Sequence, residues 1–199
     1  MLLIFRFVVI TRHAVTPTII ESMNLTLTTT REDHLIAWLT ALAVTIHVLE
    51  STLPTPLPGI KPGLANIITI VVLVRYGINT AIWVSLLRVL IGSLVLGTFL
   101  SPTFMLSLTG AMASVITLVV FSKLNAILPF IRFGTVSYAV FAACAHMAGQ
   151  FFMAYMLFLP HPAMFKLLPL FMTAAVLAGI LTGIIAGTLL NRISDTKCQ

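Results

Sequence analysis

An all-α integral membrane protein, a six-transmembrane-helix bundle, is the fold class this sequence predicts. Three observations predict it. Hydrophobic residues make up 59% of the 199 positions and charged residues 8%, against about 25% charged in a soluble domain whose surface must meet water. Six apolar segments approach the ~20 residues that cross a bilayer as a helix. Between them lie short runs rich in Pro, Gly and basic residues, which stop helices and collect at membrane interfaces.

Residues 1–33 read as an N-terminal cytoplasmic segment. The opening MLLIFRFVVI is apolar but short, is broken by Arg6 and has no small-residue cleavage site, so a secretory signal peptide is not expected. Met23 precedes the polar run NLTLTTTRED. The extension Met1–Ser22 therefore reads either as an interfacial helix or, the preferred alternative, as a start-site artefact that is dispensable. The membrane domain occupies 34–191, and 192–199 form a cytoplasmic tail.

The first span is placed at His34–Ser51. TLPTPLPGIKPG follows, a loop with four prolines that cannot continue a helix. The second span, Gly63–Tyr76, is short for a bilayer. The third is Ile78–Phe99, the fourth Thr103–Ser122, the fifth Gly134–Leu159 and the sixth Leu167–Asn191. Lys and Arg set the orientation: Arg31, Arg75, Lys123, Arg132, Arg192 and Lys197 fall on one side, Lys61 and Lys166 on the other. The first side is taken as cytoplasmic, with both termini inside and the protein multi-pass in the plasma or inner membrane.

The formal charge of +6 is accounted for by such loops meeting anionic lipid, so no nucleic-acid partner is implied. Cys144 and Cys198 form neither a CxxC pair nor a Cys/His cluster, which leaves no disulfide framework and no metal site. No cofactor is implied. No G-x-x-x-x-G-K-[ST] run is present, so the chain has no P-loop of its own. Ser107 and His146 could meet in the bundle, but no third group orients them for nucleophilic catalysis.

Polar groups inside apolar spans are costly and point to function. Glu50 lies at the outer end of the first span with His47 a turn deeper, Lys61 on the outer loop, Asn66 at the outer start of the second span and Arg88 near the middle of the third. His146 and Gln150, four residues apart on the fifth, share a face. Glu50, Lys61, Arg88 and His146 are expected to converge on a water-accessible cavity in the outer half. Structural pairing, such as Glu50 with Arg88, is the alternative, and for His47 packing is the simpler reading. Lys61 and Arg88 would favour an anionic or carbonyl-rich ligand, with Asn66, His146 and Gln150 supplying hydrogen bonds. Two small-residue patterns stand out: Ala175, Gly179, Gly183 and Gly187 on the sixth span, and Ala37 and Ala41 on the first. Either lets another helix approach closely. For the sixth span, packing within the chain is the simpler reading.

Four motifs in order, KPGLANI (Lys61–Ile67), SLLRVLIGS (Ser85–Ser93), SLTGAMAS (Ser107–Ser114) and AHMAGQ (Ala145–Gln150), resemble the membrane family called heptaprenyl diphosphate synthase component I, or the Gx transporter family, over roughly residues 35–191. Pro62 stands where that family's run would carry an apolar residue, while Lys61, Gly63 and Asn66 keep their places, which adds Gly63 to the candidate ligand-binding set. That family is similar in turn to the S components of energy-coupling factor transporters, six-helix bundles that capture a vitamin-like ligand and dock on a membrane coupling subunit driven by cytoplasmic ATPases. The resemblance implies that Ala37 and Ala41, which match an AxxxA docking pattern, contact such a subunit.

The family's two names point to different classes. A prenyl synthase holds magnesium through aspartate-rich motifs. This chain has two aspartates, Asp33 and Asp195, and no DDxxD run, so catalysis by this chain alone is not expected. The sequence is read as a substrate-binding membrane subunit of a transport system for a small anionic, vitamin- or isoprenoid-like molecule. The alternative is a non-catalytic membrane accessory component of heptaprenyl or polyprenyl diphosphate or quinone synthesis, and a blander one is a structural subunit of a larger complex.

Overall fold

A computed structural model describes residues 31–52, 65–127, 133–157 and 160–195. Lys61 and Gly63 lie outside them, and so does residues 1–22, the proposed dispensable extension. Glu50 is on a described helix, but its side chain is outside the described set.

Six α-helices run in order: α1 (Arg31–Thr52), α2 (Ala65–Tyr76), α3 (Ile78–Val95), α4 (Pro102–Ile127), α5 (Thr135–Leu157) and α6 (Leu168–Asp195), with a 3-10 turn at Pro162–Lys166 before α6. Five are long and apolar enough to cross a membrane. The sixth, α2, has 12 residues and at 1.5 Å per residue reaches only about 18 Å, against a hydrocarbon core of about 30 Å. The short second span expected from the sequence is thus a short central helix.

Its composition explains its position. Ile67, Ile68, Thr69, Ile70, Val71, Val72 and Leu73 are all buried, and a helix apolar on every side belongs inside a bundle. Six of those seven are β-branched, a composition that favours strands in water. Where water is excluded, only a helix satisfies each backbone group within its own segment. α2 packs against α1, α3, α5 and α6, and the other contacts run α1–α3, α3–α4, α4–α5 and α5–α6. One core cluster joins Ile36 of α1, Ile68 and Val72 of α2, Val84 and Leu87 of α3, Leu118 of α4 and Tyr138 of α5. Outward faces carry exposed Trp38, Ile116, Phe152, Leu177 and Ile184, the surface a bilayer would cover. Several threonines on these helices satisfy their hydroxyls on carbonyls of the preceding turn, as Thr45 does on Ala41, Thr117 on Ala113 and Thr188 on Ile184.

The helix ends differ from the predicted limits for local reasons. α2 and α3 are joined by Gly77 alone, at φ 92°, a conformation open to glycine and strained for other residues. α3 stops at Val95 rather than Phe99, because Gly97 takes φ 67° and the Thr98 N–H turns back to the Ser93 carbonyl at 2.8 Å. α4 then starts on Pro102, pre-shaped for a first helical position, with the Ser101 hydroxyl accepting the Phe104 N–H at 3.3 Å. α4 continues five residues beyond the predicted Ser122, to Ile127. Phe121 of α4 stacks on Phe141 of α5 with ring centroids 4.3 Å apart.

Candidate functional site

The predicted polar residues fall into three arrangements, all in the half of the bundle where α2 and α4 begin. The first is a buried cation. Arg88 is 4% exposed, and its Nη1 donates to Asn66 Oδ1 at 3.1 Å. Asn66 is the second residue of α2, so the central helix presents its amide to α3. The alternative reading paired Arg88 with Glu50, whose side chain lies outside the described residues.

The second arrangement joins α1 and α3. His47 lies over Gly92, where an added Cβ would stand 2.9 Å from the imidazole Cδ2. A side chain at Gly92 would push the ring away, so the glycine of SLLRVLIGS makes a niche for a histidine on another helix. Gly92 is four residues beyond Arg88 and thus on the same face of α3.

The third joins α4 and α5. His146 and Gln150 share one face and both press on Gly110, the glycine of SLTGAMAS. A Cβ there would meet Gln150 Cγ at 2.8 Å and His146 Cε1 and Nε2 at 2.9 Å. Gly149, the glycine of AHMAGQ, lets the two backbones close, since a Cβ on it would stand 2.8 Å from the Thr109 carbonyl oxygen. Two motifs that looked separate in sequence are therefore the two sides of one seam.

Next to the second arrangement is a cavity of about 260 Å3 bounded by His47 and Ser51 of α1, Val89 and Ser93 of α3, Leu96 and Thr98 of the following turn, and Thr103, Phe104 and Ser107 of α4. Sequence reasoning missed this cavity. It singled out His47 and favoured packing; in the structure the ring lies over Gly92 and borders the cavity. Ser93 stood in SLLRVLIGS without a role, and Ser107 was weighed only as a nucleophile beside His146 and set aside. The available signal was the concentration of hydroxyls around the Ser101–Pro102 turn.

The structure brings Arg88 to Asn66, and His146 and Gln150 to Gly110. Lys61 and Gly63 are outside the described residues, as is the Glu50 side chain. Ala37 and Ala41 are exposed along one side of α1, beside the 77% exposed Trp38. The α6 glycines face inward to the chain: Cβ atoms on Gly179 and Gly183 would stand 2.8 Å from Val140 Cα and 2.6 Å from Val136 Cα of α5. That stripe packs α6 on α5. Among the described residues no three His, Cys, Asp or Glu side chains gather as a metal site.

Apolar helices around a buried, amide-bound arginine define a helical membrane protein with a polar interior at one end. The sequence profile of the heptaprenyl diphosphate synthase component I family matches residues 39–189, about three quarters of the chain, and the chain belongs to that family. No curated protein and no solved structure matches it.

Proposed function

We propose that this protein is the substrate-binding subunit of a membrane transport system for a small anionic molecule of vitamin or isoprenoid type, acting with a membrane coupling subunit and cytoplasmic ATPases. The observation that carries the reading is Arg88: a guanidinium 4% exposed and bound to a neutral amide. A charge held inside a membrane bundle is expensive and marks a candidate ligand site, and a guanidinium suits an anionic ligand. His146 and Gln150, with Lys61, Gly63 and Glu50 of the neighbouring segments, complete the proposed binding set. The basic ends of α2, α4 and α6, with Arg75, Lys123 and Arg192, are assigned to the cytoplasm. That places both termini inside and the Arg88–Asn66 pair in the outer half.

A second reading is favoured by the family's description: a non-catalytic membrane component beside a separate polyprenyl diphosphate synthase subunit. An anion site suits a diphosphate as well as a carboxylate.

Native mass spectrometry of the purified protein tests the first reading. Wild type should carry a small anionic molecule, and Arg88→Met should fold with a similar thermal midpoint and lose it. An Arg88→Met protein that is stable and still carries the molecule would overturn the role given to this arginine. Co-expression with a catalytic prenyl synthase separates the two readings. A change in prenyl product length or yield that depends on this chain would favour the accessory role.

A further inference from the structure

The cavity between α1, α3 and the start of α4 has a chemistry of its own. Its polar wall is His47, Ser51, Ser93, Thr98, Thr103 and Ser107, and its volume is about 260 Å3. What the hydroxyls offer depends on where their protons already go. Ser51 donates to the Val48 carbonyl at 2.7 Å, Ser93 to the Leu90 carbonyl at 2.8 Å and Thr98 to the Ser93 carbonyl at 3.5 Å. Thr103 shares a 2.7 Å hydrogen bond with Ser101. A hydroxyl whose proton is spent on a carbonyl keeps its lone pairs. Three of the five lining hydroxyls are therefore left as acceptors.

That pattern selects among ligands. An anion could take the Ser107 proton and the positive end of α4, but it meets three acceptor oxygens and has no proton to give them. An ammonium would donate well, but Thr103 and Phe104 are in the first turn of the 26-residue α4, whose positive end disfavours a cation. A neutral group with several O–H donors meets neither obstacle. The space equals about nine water molecules at ~30 Å3 each, the bulk of a short sugar alcohol. We infer that this cavity binds a small neutral polyol, either free or as the headgroup of an uncharged lipid. The site is separate from the anion site assigned to Arg88, and either can fail alone.

The test uses the full chain in phosphatidylcholine nanodiscs. Erythritol is titrated as the free polyol, and 1-monoolein is added to the bilayer as the lipid-borne one. Sodium phosphate and ethylammonium chloride serve as charged probes, and saturation-transfer NMR reads contact for all four. Erythritol or monoolein should bind; erythritol points to a free ligand and monoolein alone to a headgroup. Ser51→Ala with Ser93→Ala removes two acceptors and should weaken that binding about tenfold. Ser107→Leu, at a half-buried position on the wall, should fill the space and abolish it, so one variant stands if the other misfolds. Phosphate or ethylammonium binding in place of the polyols would overturn the inference. So would no binding by any probe, or polyol binding that persists in a folded Ser107→Leu protein.

Discussion

Two kinds of glycine contact hold this bundle, and they do different things. On the α5–α6 seam, glycine meets backbone: Cβ atoms on Gly183 and Gly179 would lie 2.6 Å from Val136 Cα and 2.8 Å from Val140 Cα. Gly149 on the α4–α5 seam likewise meets the Thr109 carbonyl, but Gly92 and Gly110 meet side chains, those of His47, His146 and Gln150. Backbone cannot move aside without moving its helix, whereas a side chain can swing. In the first case glycine sets the distance between helices. In the second it leaves a niche that a polar side chain fills. A small residue in a membrane helix is thus evidence of packing or of a site according to what stands opposite it.

The largest effect belongs to the rigid seam. Gly183→Ala forces α5 and α6 apart, and overpacking of this kind costs about 1–3 kcal/mol. The gain in helix propensity, up to about 1 kcal/mol, offsets only part of it. Thermal unfolding in detergent should show a clear drop in midpoint. An unchanged or raised midpoint would mean that α6 slides freely on α5, and the contrast between the seams would vanish.

Gly110→Ala should cost less stability, on the order of 1 kcal/mol or below, because Gln150 and His146 can rotate away. Its effect on binding should be the greater one, since the two side chains proposed to meet the ligand are those displaced. Gly92→Ala should act in the same way on His47. The checks are the thermal midpoint and the amount of co-purified small molecule, measured on the same preparation. If Gly110→Ala destabilises as much as Gly183→Ala while retention is unchanged, the α4–α5 niche is packing like the other.

Much of this was legible in the sequence because it is local. The run Gly63–Tyr76 reads as a short apolar span, and the four-residue spacing of His146 and Gln150 puts them on one face. Arg88 and Asn66 each stood out as polar groups in apolar spans. Their pairing did not, because 22 residues separate them and several acceptors could have met the guanidinium. The early end of α3 turned on Gly97 adopting a positive φ, which one glycine in an apolar run does not reveal. The hydroxyl cavity was the least legible feature. It is assembled from the ends of α1, α3 and α4, and single serines in membrane helices satisfy themselves on their own backbone.

The smallest expected effect on stability comes from small residues that are exposed among the described residues. Ala37 and Ala41 are exposed on α1, so unlike Gly183 and Gly110 they leave room for a side chain. Ala41→Leu should shift the unfolding midpoint by no more than about 0.5 kcal/mol in equivalent stability, the range of surface changes that disturb no buried feature. If these alanines instead let a coupling-subunit helix approach closely, the added side chain would hold that helix away. Pull-down of the tagged protein from native membranes, with quantitation of the co-purified subunits, should then show Ala41→Leu losing a membrane partner that wild type and Gly92→Ala both retain. Equal recovery of every partner would remove this face of α1 as the docking surface. A fall in midpoint comparable with that of Gly183→Ala would show that Ala41 is packed within the chain, and the difference between inward and outward small residues would no longer hold.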